Sequence, residues 1–139
     1  MAFTPEKDLN AIQRLIIQDK EIMDLMDLTG KSNPEIAKRI IKRSQWDGLA
    51  TNEKRICIYF IPDRRTRNES FRESIIEIDV HVPATHDFKA WQIQERIKLL
   101  LHKKRINQRY TYFEGSLGEL PTMPSFFCCG SRFKFYRIV

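Results

Sequence analysis

Three histidines, three cysteines and a scatter of acids are the side chains here that could do chemistry, and their spacing is poor for it. His81 and His86 lie near Asp79 and Asp87, a set that could hold a metal ion, but no interval among them matches a known ligand mode. His102 falls in a basic stretch at the end of a helical pattern, where it suits the helix dipole. Cys57 stands alone, and Cys128 and Cys129 are adjacent, so an odd count with no regular spacing implies reduced core thiols rather than a disulfide framework. No glycine-flanked serine, no cysteine nucleophile signature and no phosphate-cradling glycine motif occurs among only five glycines. These observations point away from an enzyme, and neither a cofactor nor a metal is expected.

The basic residues are the stronger signal. The chain carries a net charge of +6, yet residues 1–28 hold six acids against three bases, which leaves 21 bases against 12 acids in the remainder. Such a body implies an anionic neighbour. Arg64, Arg65, Arg67 and Arg72 crowd one segment, Lys103, Lys104, Arg105 and Arg109 follow the central helical pattern, and Arg132, Lys134 and Arg137 punctuate the last strand. Tyr110, Tyr112 and Phe133 lie nearby in sequence and offer rings for stacking, so a phosphate-contacting stripe is one reading of this set. No helix-turn-helix, zinc finger or ribonucleoprotein motif organises it, and solvated charge explains much of it.

The elements that must position these residues follow from periodicity. Ile76, Ile78, Val80 and Val82 alternate with Glu77, Asp79 and His81, the period of a half-buried strand. After Pro83-Ala84, apolar Ala90, Ile93, Ile97, Leu100 and Leu101 recur at three- and four-residue steps, which predicts a helix over 87–104. Thr4-Pro5 opens a first helix whose apolar positions run from Leu9 to Met26, ending by Gly30. Ser32 and Pro34 open a second that ends near Trp46-Asp47-Gly48. Arg55 to Ile61 reads as a strand stopped by Pro62, and residues 64–72 as a long, basic, mobile hairpin connection. Tyr110 to Phe113 is a short strand. Gly115, Gly118, Pro121 and Pro124 mark a loop. A strand from Phe133 runs to the C-terminus, and its end, Arg137-Ile138-Val139, is expected to be a sheet edge open to a neighbour.

With 42% hydrophobic and 11% aromatic residues the chain is expected to fold, as a single domain over residues 1–139 with a helical part, 1–48, and a sheet-plus-helix core, 54–139. The fold class expected is α+β: an antiparallel sheet of about four strands, one long helix packed across a face, and two N-terminal helices. No apolar run is long enough to span a bilayer and no signal-peptide pattern opens the chain, so no membrane is expected and a cytoplasmic site of synthesis is.

The order strand, hairpin, strand, helix, strand, strand over residues 54–139 resembles the tail-terminator or tail-completion proteins at the head-to-tail junction of long-tailed bacteriophages. An Ile-x-Ile-Asp-Val pattern (Ile76, Ile78, Asp79, Val80) leads into an Ala-x-x-Ile-x-x-x-Ile-x-x-Leu-Leu helix (Ala90, Ile93, Ile97, Leu100, Leu101). The resemblance implies a non-enzymatic virion protein, assembled in the host cytoplasm. It would form a homo-oligomeric ring, commonly a hexamer, that caps the tail tube and docks the head connector. The 62–72 loop would then reach an interface or the lumen through which DNA passes. The extra N-terminal helices leave open another neck protein, such as a head-closure protein, and the charge leaves open a small basic nucleic-acid-binding protein.

Overall fold

The computed structural model describes residues 5–44 and 52–138. Its elements are α1 (Pro5–Gln18), α2 (Lys20–Leu25), α3 (Asn33–Arg39), β1 (Ile40–Ile41), β2 (Arg55–Arg65), β3 (Phe71–Pro83), a 3-10 turn (Ala84–His86), α4 (Asp87–Leu101), β4 (Lys104–Ile106), β5 (Arg109–Leu120) and β6 (Phe126–Ile138). The strands form one sheet in the order β1-β2-β3-β6-β5-β4, with β1 parallel to β2 and all other neighbours antiparallel. The expectation of about four antiparallel strands is therefore corrected: the α+β fold has a six-stranded mixed sheet curled into a half-barrel.

Each discrepancy has a local cause. Ile40 and Ile41, which fall inside the second helix expected to end near Trp46, instead pair in parallel with Ile56 and Cys57, and their β-branched side chains suit that role. Ser32 caps α3 as expected, accepting from Glu35 N at 3.4 Å with Pro34 in the first turn. The helix ends at Arg39; the predicted end at Trp46-Asp47-Gly48, like the Thr4 cap, lies outside the described residues. Pro62 does not stop β2. The register skips between Ile61 and Arg64, so the proline sits in a bulge where its missing N–H breaks no ladder bond. Arg64 and Arg65 then pair with Glu73 and Arg72, and the predicted long mobile loop shrinks to residues 66–70. Thr66 Oγ1 donates within that turn, 2.7 Å from Asn68 O and 3.0 Å from Phe71 O. Gly115 and Gly118 likewise mark two register shifts inside a twelve-residue β5 rather than a loop, Gly118 with φ of +72°.

The expected first helix is two helices. Asp19 adopts an extended conformation between α1 and α2, accepts from Ile22 N at 3.1 Å, and receives Arg96 of α4 in a bidentate pair at 3.0 and 2.8 Å. The capping carboxylate competes with helical continuation at that residue, which periodicity cannot register. The Arg96 guanidinium holds the Asp19 carboxyl below its ordinary range.

The core lies between the sheet and the helices. Ala90, Ile93, Ile97 and Leu101 of α4 are fully buried with Ile76, Ile78, Val80, Val82 and Phe133 of the sheet, and Ile12, Ile16, Ile22 and Met26 extend the same cluster. Gln94 is the buried polar exception on α4. Its Nε2 donates to Ile78 O and Cys129 O, both at 2.9 Å, and its Oε1 accepts from Ser131 Oγ at 2.7 Å, so it locks the helix onto the central strand pair.

Asp8 ties α1 to the far edge. Its carboxylate, almost fully buried, receives Arg109 Nη1 at 2.8 Å on both oxygens and Asn107 Nδ2 at 2.6 Å. Asn107 and Gln108, with φ of 48° and 70°, form the two-residue turn between β4 and β5, a conformation that matches sheet twist. Asp8→Ala strips a partly buried arginine of the only carboxylate it pairs with among the described residues. The expected cost is about 3 kcal/mol, from the uncompensated charge, read as a lower urea midpoint with an unchanged m-value.

Candidate functional site

The basic residues singled out in the sequence divide into two groups. Arg64 pairs with Glu114 at 2.7 Å and Glu73 at 3.5 Å, while Arg72 and Arg137 share Asp63 at 2.8 and 2.6 Å. First Arg72 and then Arg137 pull the Asp63 carboxyl down to about 2. Arg64, Arg72 and Arg137 are thus ties between strands, and Arg109, held by Asp8, ties β5 to α1. Arg65, Arg67, Lys103, Lys104 and Arg105 are exposed and make no ion pair among the described residues. Lys103 to Arg105 do not extend the helix as expected. α4 ends at Leu101, Lys103 has φ of 58°, and Lys104 and Arg105 enter β4.

Topology gathers what the sequence scattered. The β2–β3 turn, the C-terminal end of β6 and the β4–β5 turn all lie at one end of the sheet, since Phe71 pairs with Ile138 and both Tyr136 and Arg137 border the same groove as Gln108 to Tyr110. That groove, about 350 Å³, is lined by Phe71, Gln108, Arg109, Tyr110, Tyr112, Tyr136 and Arg137. Of the rings proposed for stacking, Tyr110 and Tyr112 are there. Phe133 is not: it is fully buried edge-on against Phe113, with centroids 5.5 Å apart. Tyr136 and Phe71 take its place, unrecognised beforehand because the pairing of β3 with β6 is non-local.

The expected sheet edge at Arg137-Ile138-Val139 is also corrected. β6 is interior to the sheet, between β3 and β5, and Arg137 and Ile138 pair with Arg72 and Phe71; Val139 lies outside the described residues. The open edges are elsewhere. β1 covers only Ile56 and Cys57 of β2, and β4 covers only Arg109 to Thr111 of β5. Among the described residues, then, the outer sides of β2 from Ile58 to Arg65 and of β5 from Tyr112 to Leu120 face no strand.

No family model matches the chain, and no curated protein sequence matches it.

On the sheet face turned away from α4 lies a buried polar cluster that alternation had assigned to solvent. Glu77, Asp79 and His81 are each more than nine-tenths buried. Tyr59 Oη lies 2.6 Å from both Glu77 Oε2 and Asp79 Oδ2, and Arg132 Nε donates to Glu77 Oε1 at 3.1 Å. Asp79 Oδ1 has no hydrogen-bond partner among the described residues and faces Gly130, where a Cβ would meet it at 2.6 Å and Leu120 Cδ1 at 2.5 Å. His81 Nδ1 is 2.9 Å from Thr122 Oγ1, and its Nε2 is 3.7 Å from Cys128 Sγ.

Burial sets the titration of this face. It raises Asp79 to about 7, helped by the bond to Glu77 and that group's negative charge, and it lowers His81 to about 4, with Arg55 adding repulsion. Burial opposes ionisation of Glu77 too, but hydrogen bonds from Asp79, Tyr59 and Arg132 outweigh it and hold that carboxyl below its usual range. Cys57 and Cys129 are pushed up to about 12 and Cys128 higher, so all three are buried, inert thiols. The metal set considered from sequence is divided: Asp79 and His81 are buried, whereas His86 and Asp87 are exposed at the start of α4, and no metal-holding group of three or more is found among the described residues. No helix among them is long and apolar enough to cross a membrane.

Proposed function

We propose that this chain is a non-enzymatic structural protein of the bacteriophage head-tail junction, a tail terminator that assembles as a ring, caps the tail tube and docks the head connector. The observation that carries this reading is the pair of open strand edges, β2 on one flank of the curled sheet and β5 on the other. One copy's β2 edge can continue onto the next copy's β5 edge, a head-to-tail contact that generates a closed ring when the rotation matches. The two edges are different surfaces, so the contact is heterologous rather than a two-fold dimer. The resemblance of the strand–helix pattern at Ile76 to Leu101 supplies the biological setting, and the cations Arg65, Arg67 and Arg105 supply an anion-seeking end for the lumen or a neighbouring ring.

Light scattering coupled to size exclusion, at low and high salt, tests the ring directly. A discrete nucleic-acid-free species of about six copies of the 16.6 kDa chain, surviving high salt, is expected, because backbone pairing and apolar burial are little screened. A chain that stays monomeric both alone and with purified tail tubes would overturn the reading.

A further inference from the structure

Tyr110, Tyr112 and Tyr136 occupy the face of the sheet that no helix among the described residues covers. The register Tyr112–Lys134 places Tyr136 and Tyr110 two residues further along their strands, hence on the same face, while the flanking pair Phe113–Phe133 points into the core. Phe71 reaches the same groove from β3, and Tyr110, Tyr136 and Phe71 are 55%, 46% and 38% exposed. Three exposed rings gathered in one groove on paired strands mark it as a candidate binding surface.

The surrounding charge selects the ligand's sign. Arg105 pairs across from Tyr110, Lys134 Nζ lies 6.0 Å from the Tyr136 ring centroid, and Arg65 shares the adjoining recess with Phe71. The carboxylates of this end, Asp63, Glu73 and Glu114, are already held by arginines or lysine, which leaves Glu69 in the β2–β3 turn as the exposed acid. The groove therefore offers flat π-faces, and near it Arg65, Arg67 and Arg105 make no ion pair among the described residues. An acidic peptide would use the cations but has no need of the rings. A duplex hides its base faces. Unstacked bases joined by phosphates use both.

We propose that this groove binds single-stranded nucleic acid, with bases stacked on Tyr110, Tyr112 and Tyr136 and phosphates met by Arg65, Arg67 and Arg105. Stacking is sequence-tolerant, since every base has a π-face, and the phosphate contacts make binding salt-dependent. The site stands independently of ring formation.

Fluorescence anisotropy with a labelled oligothymidylate tests it, with unlabelled duplex of equal length and polyglutamate as competitors. Tyr110→Ala with Tyr136→Ala is expected to weaken binding at least about tenfold at both low and high salt, from the stacking free energy per base. Tyr110→Phe with Tyr136→Phe should retain affinity. Arg65→Ala with Arg67→Ala should instead flatten the salt dependence by about two phosphate contacts. Both tyrosines are exposed, and thermal melts matching the parent confirm that each variant is folded. Undiminished binding by the alanine variant, competition by duplex as strong as by single strand, or displacement by polyglutamate at equal charge would each overturn the proposal. So would a change of oligomeric mass in the alanine variant without a change in oligothymidylate affinity, which would assign the groove to a subunit contact.

Discussion

Ile97→Asp is expected to yield no cooperatively folded protein. Ile97 is fully buried at the centre of the α4 face, in one cluster with Ala90, Ile93 and Leu101 from the helix and Ile78 and Phe133 from the sheet. The substitution removes the aliphatic contacts, worth about 3 kcal/mol, and leaves a carboxylate among hydrocarbon at a cost of several kcal/mol more. The cations nearest in sequence are engaged elsewhere: Arg96 binds Asp19 and Glu21, and Lys98 lies over the Phe113 ring, 4.4 Å from its centroid. The sum rivals the whole stability of a domain this size, about 5–15 kcal/mol. Ile97→Val, which keeps shape and polarity, should cost about 1 kcal/mol. Circular dichroism melts of the two variants check this, and a soluble, cooperatively melting aspartate variant would show that this face of α4 does not pack on the sheet.

Asp79→Asn is expected to change how stability depends on pH. Tyr59 has one hydroxyl proton yet lies 2.6 Å from two carboxylates, so the second short contact requires a proton held by the Glu77–Asp79 pair. Asp79 keeps that proton up to about 7, pushed there by burial and by Glu77, whereas an unfolded aspartate releases it near its ordinary value of 3.8. Between those values the native state binds the extra proton, so this contribution is fully present below pH 3.8 and is lost as pH rises through 7. His81 acts in the opposite sense. With its folded value lowered to about 4 from 6.5, the unfolded state binds more protons in that interval and stability gained there rises with pH.

The two slopes oppose one another below pH 6.5, and above it Asp79 still titrates alone. The groups facing it are Cys57 and Tyr59 from β2, Glu77 and His81 from β3, and Cys128 and Arg132 from β6, with Arg55 at the His81 end. The parent protein is thus expected to be nearly flat between about pH 4 and 6.5 and to lose only about 0.5 kcal/mol from about pH 6.5 to 8, the slope vanishing once native Asp79 is ionised above 7. The asparagine variant should be flat over the same range, and it should rise between pH 4 and 6.5 where only His81 remains. Urea midpoints collected across pH decide this. Parallel curves for the two proteins would mean that Asp79 is ionised throughout.

The candidate site was legible in residue type but not in composition of place. Arg65, Arg67 and Arg105 are exposed and make no ion pair among the described residues, while Arg64, Arg72, Arg109 and Arg137 look identical in sequence and are bound to acids 9 to 101 residues away. Asp8 could not be assigned to Arg109 from the chain alone. Nor could Tyr136 be placed beside Tyr110, because that neighbourhood depends on β6 lying between β3 and β5.

By itself the sequence determined the features governed by short-range physics. The helical face of Ala90, Ile93, Ile97 and Leu101, the alternation of β3, the Ser32 cap and its pairing with Pro34 all follow from periods of 3.6 and 2 and from capping chemistry within four residues. Tertiary structure decided the rest. It turned Ile40-Ile41 into a strand, carried β2 past Pro62 and β5 through two glycines by means of bulges, and broke the first helix at Asp19. It also buried Glu77, Asp79 and His81. In each case the free energy came from a partner distant in sequence, a parallel strand, a neighbouring ladder, or Arg96, which outweighs a local preference of a few tenths to about 1 kcal/mol.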